Sequence, residues 1–225
     1  MRAHRLRPRT ALVLAALTCT VALSACSAEA DDAAYPDRGA LTEVALEIVG
    51  GAEAVTVVTG DTDGALFSAD GSSLQPTTTE TGPGRYALDF SFPEGSRSAA
   101  TVRLDPEIVW HLTFTGGAQT LTVDLSEAAV SGLDFTSGAQ TFDLTLPEPT
   151  GVVPINQSGG AATFAVHLPA DAAATVSLQG FGSATVDSTA LDAADSTTAV
   201  GDTAATDRFV ITNSAGLGSF TLDRS

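Results

Sequence analysis

Any chemistry in this chain would rest on two histidines, His111 and His167, on six arginines beyond position 10, and on abundant Asp, Ser and Thr. Ser, His and Asp could on paper make a nucleophilic triad, but no Gly-x-Ser-x-Gly turn is present to expose a serine. Neither a phosphate loop nor a Gly-x-Gly-x-x-Gly turn after a strand occurs. Zinc would depend on two distant histidines and carboxylates. A site cleaving acidic sugars would gather carboxylates with basic side chains, and only Arg85, Arg97 and Arg103 stand near one another in sequence. The nearest approach to a metal site is Thr59-Gly60-Asp61-Thr62-Asp63-Gly64 followed by Asp70. Its spacing puts side-chain oxygens at the first, third and fifth places of a calcium loop. Thr59 replaces the usual first acid, and Asp70 is shorter than the bidentate Glu that closes such loops. The competing reading is a polar turn, Asp-Gly being a common turn dipeptide. No catalytic residue and no cofactor is expected, and Asp61, Asp63 and Asp70 are the only metal candidates.

The elements that would position these residues come as a repeat. LTFTGGAQTLTVDL from Leu112 aligns with LDFTSGAQTFDLTL from Leu133, INQSGGAATFAVHL from Ile155 and ITNSAGLGSFTL from Ile211. LEIVGGAEAVTVV from Leu46 fits the same frame, and VSLQGFGSATVD from Val176 fits with one deletion. The starts at 112, 133, 155 and 176 set a period of 21 to 22 residues. From 46 to 112 is three such periods, which predicts an irregular coil in between, with strands over Tyr86–Phe90 and Ala100–Leu104. Within a unit, a short alternating strand meets a small-residue corner such as Gly116-Gly117-Ala118, and a second alternating strand follows. Alternation of period two means one buried and one wet face. Glycine at the corner admits backbone angles that branched residues avoid.

A unit this short encloses no core alone, whereas stacked units do. The prediction is an all-β domain over 41–225, a single-stranded parallel β-helix (β-solenoid). Leu121, Phe142 and Phe164 would share one interior column, and Leu112, Leu133, Ile155 and Val176 another. An antiparallel β-sandwich or roll is the alternative. Two polar insertions, near 60–84 and 187–208, interrupt the period and read either as recognition loops or as loose excursions. His111, between Trp110 and Leu112, is expected to face outward, as is His167, which takes the place of Asp124 and Thr145. Gln157 and Asn213 fall inward where Phe114 and Phe135 stand, so their amides must find partners.

The N-terminus reads as an address. A basic leader (Arg2, Arg5, Arg7, Arg9) precedes an apolar run, Ala11–Leu23, too short to span a bilayer and proportioned as a secretory signal. It ends in Leu23-Ser24-Ala25-Cys26, which resembles the bacterial lipoprotein lipobox. The resemblance implies cleavage after Ala25 (signal peptide 1–25) and lipidation of Cys26. It also implies attachment to the outer face of the cytoplasmic membrane, in the cell envelope. No cysteine would then remain for a disulfide. Residues 26–40 read as a flexible acidic tether. After cleavage, 6 Arg face 27 Asp and Glu. That imbalance repels nucleic acid and anionic lipid, and no nucleic-acid partner is expected.

On its Gly-Gly-Ala corners and flanking alternating strands, the segment from about Leu41 to Ser225 resembles bacterial envelope proteins with β-strand repeats. These are described as candidate adhesins or toastrack-like domains of unknown function. The resemblance implies a right-handed β-solenoid and a binding or structural role, and supplies no catalytic residues. The function expected is a non-enzymatic, lipid-anchored envelope protein presenting a β-solenoid to wall polymer or to another protein. The alternative is a sensor or accessory subunit of an envelope-stress system acting through a membrane protein. A polysaccharide-active enzyme is third.

Overall fold

The computed structural model describes residues 35–93, 98–192, 197–202 and 204–225. The chain divides into two units, 1–32 and 33–225. The expected leader, the lipobox with Cys26 and most of the tether lie outside the described residues.

Alternation builds strands where the sequence predicts them. They begin with the pair β1 (Glu43–Ile48) and β2 (Ala52–Thr59), then the single strands β3 (Phe67–Asp70) and β4 (Gln75–Gly82). Pairs follow as β5 (Arg85–Ser91) with β6 (Ala99–Leu104), β7 (Val109–Phe114) with β8 (Ala118–Asp124), and β9 (Ala129–Phe135) with β10 (Ala139–Thr145). Next come β11 (Val152–Gln157) with β12 (Ala161–Leu168), and β13 (Ala174–Leu178) with β14 (Phe181–Val186). The short β15 (Thr189–Ala190) and β16 (Thr197–Val200) precede the last pair, β17 (Arg208–Asn213) and β18 (Leu217–Arg224). Among the described residues there is no helix.

The first strand of each pair lies in one nine-stranded sheet and the second strand in another, and both sheets are mixed and open. Pairs stack on pairs through parallel ladders in register: Leu112 opposes Leu133, and Leu121, Phe142 and Phe164 form one inward row. Phe114 stacks on Phe135 with ring centroids 5.0 Å apart, and Phe142, Phe164 and Phe220 continue edge-to-face and tilted. The antiparallel alternative holds only at the edges, where β4, β16, β3 and β15 pair antiparallel to β5, β13, β6 and β14.

Chain order and stacking order differ, which corrects the simple succession read from the repeat. The first pair lies between the second and third, so Leu46 opposes Leu112 directly and the Tyr86–Leu104 coil sits on its far side. The last pair, β17/β18, lies between β11/β12 and β13/β14. Ile155 therefore opposes Ile211, and Val176 reaches the column only through Ile211. Both chain-terminal pairs are thus hydrogen-bonded on two sides, which ties down segments that would otherwise fray.

Both insertions contain strands among their described residues. Each supplies antiparallel strands that cover the ends of the stack: β3 and β4 at one end, β15 and β16 at the other. An uncovered parallel edge would template pairing with another chain. At β4 the edge is further blunted by Pro76 and by an irregularity between Glu80 and Gly82.

Corner glycines answer to proximity, not to backbone angle. None of the Gly-Gly corners has a positive φ. A Cβ on Gly116 would lie 2.2 Å from the Gly50 carbonyl oxygen, and one on Gly159 would lie 2.2 Å from the Ser137 backbone. At Gly116 and Gly159 backbone lies against backbone and only glycine leaves room, whereas the equivalent corner places of other pairs hold Ser137 and Ala215.

Candidate functional site

Both histidines face outward, as the alternation predicts, and each is tied across strands to carboxylates. On the second sheet His167 stands in a row with Asp124, Thr145 and Asp223. Its Nε2 lies 3.1 Å from Asp143 Oδ1 and its Nδ1 2.9 Å from Asp223 Oδ1. The hydrogen bond to Asp223 and the charges of Asp223 and Asp143 raise its pKa above the ordinary histidine value, against a smaller opposing effect of partial burial. His167 joins β10, β12 and β18.

On the first sheet His111 Nε2 lies 2.8 Å from Asp134 Oδ2, and Asn156 Nδ2 donates to the other oxygen of Asp134 at 2.9 Å. This ladder spans β7, β9 and β11. It depends on an irregularity: Trp110 opposes Val130 and His111 opposes Gly132, leaving Ser131 as an extra residue. The bare Gly132 accommodates the imidazole, since a Cβ there would meet the ring at 2.7 Å. Pro154 flanks Gly132 on the other side, where β11 pairs with β9 only from Ile155 onward. A proline lacking a ladder donor is tolerated in this interior strand because the bulge has opened the ladder beside it.

Next to His111 the outward face carries a groove of about 350 Å³ lined by Glu43, Ala45, Pro83, Gly84, Arg85 and His111. Ala45 forms its floor, with Arg85 opposite on β5 and His111 opposite on β7. The turn from β4 to β5 makes one wall; Gly84 adopts φ +65° there and its carbonyl accepts the Ala45 amide at 2.9 Å. The Glu43 and Arg85 side chains both line the groove without hydrogen-bonding or ion-pairing to any described residue. Nothing in the residue types announced this groove. Its only sequence trace is Arg85 directly after the Gly82-Pro83-Gly84 turn.

The second sheet's outer face is a regular hydroxyl surface. Thr120, Thr141, Thr163, Ser219 and Ser183 stand side by side on β8, β10, β12, β18 and β14. Thr122, Asp143, Ala165, Thr221 and Thr185 form the adjacent row.

The structure does not gather the other candidates. Asp61 and Asp63 belong to a tight turn in which Asp61 accepts the Asp63 amide at 2.9 Å, while Asp70 ends β3 and pairs with Thr101. Among the described residues no three His, Cys, Asp or Glu side chains gather to hold a metal ion. Arg85 and Arg103 lie in different sheets, which separates the basic cluster suggested by their nearness in sequence, and Arg97 lies outside the described residues. Gln157 and Asn213 are buried as expected, and they bond to each other, Asn213 Nδ2 donating to Gln157 Oε1. The Gln157 Nε2 and Asn213 Oδ1 atoms have no partner among the described residues.

The fold and its polar surfaces define an all-β protein of stacked strand pairs. Among solved structures, a "putative cell adhesion protein" from Clostridium sporogenes ATCC 15579 superposes with a TM-score of 0.68 at 16% identity, over 84% of this chain and 96% of the other. The two share a fold. A "putative adhesin" from Bacteroides fragilis NCTC 9343 aligns at 10% identity over 81% of this chain and 93% of its own, with a TM-score of 0.28. No protein-family profile matches the chain, and no curated protein matches it.

Proposed function

We propose that this is a non-enzymatic binding module of the bacterial cell envelope. In this reading Cys26 carries a lipid on the outer face of the cytoplasmic membrane, residues 26–40 act as a tether, and the stacked strand pairs form a β-solenoid displayed to the wall. The observation that carries the reading is the hydroxyl row Thr120–Thr141–Thr163–Ser219–Ser183. Five adjacent strands present one donor-acceptor group each, at the interstrand spacing of about 4.8 Å. A row of this kind suits a long polymer better than a small substrate, because each contact is weak and the number of contacts supplies the affinity. The shared fold with a protein named for cell adhesion supports the same reading.

The test is a sedimentation assay of the purified protein with isolated wall and membrane fractions, with and without calcium. Saturable binding to wall material is expected, and Thr141→Val with Thr163→Val should weaken it. Binding only with calcium would bring the Asp61–Asp70 segment back into consideration. Failure to bind either fraction would end the polymer reading and favour a membrane protein as partner.

A further inference from the structure

The groove on the first sheet is lined by one base and one acid that pair with no described residue. Arg38 bonds to Asp105 and Glu107, Arg224 to Asp187, and Arg208 to the Ala205 carbonyl. Arg85 and Arg103 have no such partner among the described residues; Arg85 lines the groove together with Glu43, which has none either. The two do not neutralise each other, although only the small floor residue Ala45 lies between them in the register. Glu43 and Ala45 point to the same outward face, two residues apart, which is about 6.6 Å along the strand. Arg85 stands beside Ala45, one strand away. A negative and a positive group therefore face one cavity along a diagonal of about 8 Å between Cα atoms. The walls are fixed: Gly84 is bonded to the floor, and His111 is held by Asp134.

We infer that this groove binds the zwitterionic part of a small amino-acid-type ligand, a free amino acid or short peptide. The ligand's carboxylate lies on the Arg85 guanidinium and its ammonium on the Glu43 carboxylate. Guanidinium matches carboxylate in a planar, two-pronged contact, and both contacts are charge-assisted. Ala45 leaves room for a small side chain, and the His111 ring closes the far wall. A purely anionic ligand would meet Glu43, and a purely cationic one would meet Arg85; only a ligand carrying both charges satisfies both. This inference rests on the binding-module reading and narrows its ligand to the peptide component of the envelope.

The experiment titrates the full-length protein in detergent micelles with alanyl-alanine, following the backbone amide resonances of Ala45 and Gly84. Saturable shifts at both are expected. Blocking the probe's amine by acetylation, or its carboxylate as the amide, should weaken binding about tenfold or more, the loss of one charge-assisted contact. Arg85→Gln and Glu43→Gln should each weaken the free dipeptide by a similar factor while leaving the melting temperature unchanged. No shift, or equal binding of free and blocked probes, or variants that bind as the parent does, would overturn the assignment. The variants are also carried through the wall sedimentation assay. If wall binding survives while the dipeptide does not bind, the groove inference falls and the binding-module reading stands. Dipeptide binding without wall binding would instead uphold the groove and remove the wall as its setting.

Discussion

The buried amide pair Gln157 and Asn213 permits a quantitative test of what holds the C-terminal strands in place. Both side chains are buried, at 1% and 0% exposure. They stand in an inward row that runs Phe114, Phe135, Gln157, Asn213, Leu178. One hydrogen bond joins them, and one polar atom of each is left without a partner. Asn213→Leu removes that bond and leaves both polar atoms of Gln157 buried without partners, at about 1–3 kcal/mol for the newly orphaned group. Gln157→Leu does the same to Asn213. In the double variant no buried amide remains, so the penalty incurred by each single change disappears. The two single losses should therefore exceed the double loss by both penalties together, a coupling energy of about 2–6 kcal/mol. The double variant should be at least as stable as the parent, because it also removes the two atoms that lack partners already. Urea unfolding with a shared m-value gives all four free energies. Additivity within about 0.5 kcal/mol would refute the coupling, as would a double variant less stable than both singles.

Three further expectations follow from the same geometry. Gly116→Ala and Gly159→Ala each drive a Cβ to 2.2 Å from the backbone of the next corner and should cost about 3 kcal/mol or more in thermal or urea unfolding. Gly216→Ala, with nothing within 4 Å, should stay within about 0.5 kcal/mol, and equal effects at all three sites would refute the role of proximity. His167 has a raised pKa, so its stabilising contribution is complete below the unfolded-state value near 6.5 and is lost as pH rises through the higher folded-state value. For so exposed a group this is at most about 1 kcal/mol and shrinks in salt. His167→Gln should abolish that pH-dependent fraction, and a pH–stability profile identical to the parent's would count against the clamp. Finally, Pro76→Val with Glu80→Val creates a continuous, uncharged edge on β4 and should produce concentration-dependent association in size-exclusion chromatography. Elution unchanged with concentration would show that the edge is protected by other means.

The repeat made the strands, their inward rows and the outward histidines legible, because period-two alternation at a fixed spacing leaves little freedom about which face is buried. Stacking order was not legible from that signal. Ile211 and Phe220 are apolar inward residues that would fit against any neighbouring copy, so hydrophobic pattern alone does not choose between a sequential spiral and tucked terminal pairs. The edge strands within the insertions were not legible for a related reason. Thr77-Thr78-Thr79 is polar on both sides, as an edge strand can be, and polarity alone does not separate an edge from a loop. The groove was hidden because its parts, Glu43, Arg85 and His111, come from three strands that become neighbours only through the reordered stack.

That reordering does have a trace in the sequence, in residues that looked only like a blemish in the core. Had the pairs stacked in chain order, β13 would lie on β11, and Gln157 would face Leu178 with no partner for its amide. Placing β17 between them sets Asn213 beside Gln157 and Leu178 beyond it. On the opposite sheet His167 does not discriminate, since Asp143 lies beside it in either order and chain order would set Asp187 where Asp223 stands. The hydrogen bond between the two buried amides is thus made only in the observed order. The apolar rows are nearly indifferent between the two arrangements. A buried polar pair adds little net stability against an apolar equivalent, and its best-attested use is to specify a register or a partner. The amide pair therefore acts as a selector of topology. The double variant Gln157→Leu with Asn213→Leu should retain stability yet lose that selectivity, which would appear as slower or heterogeneous refolding with equilibrium stability no lower than the parent's. Refolding as fast and as uniform as the parent's would show that strand order is chosen elsewhere, with the β15 and β16 cover as the next place to look.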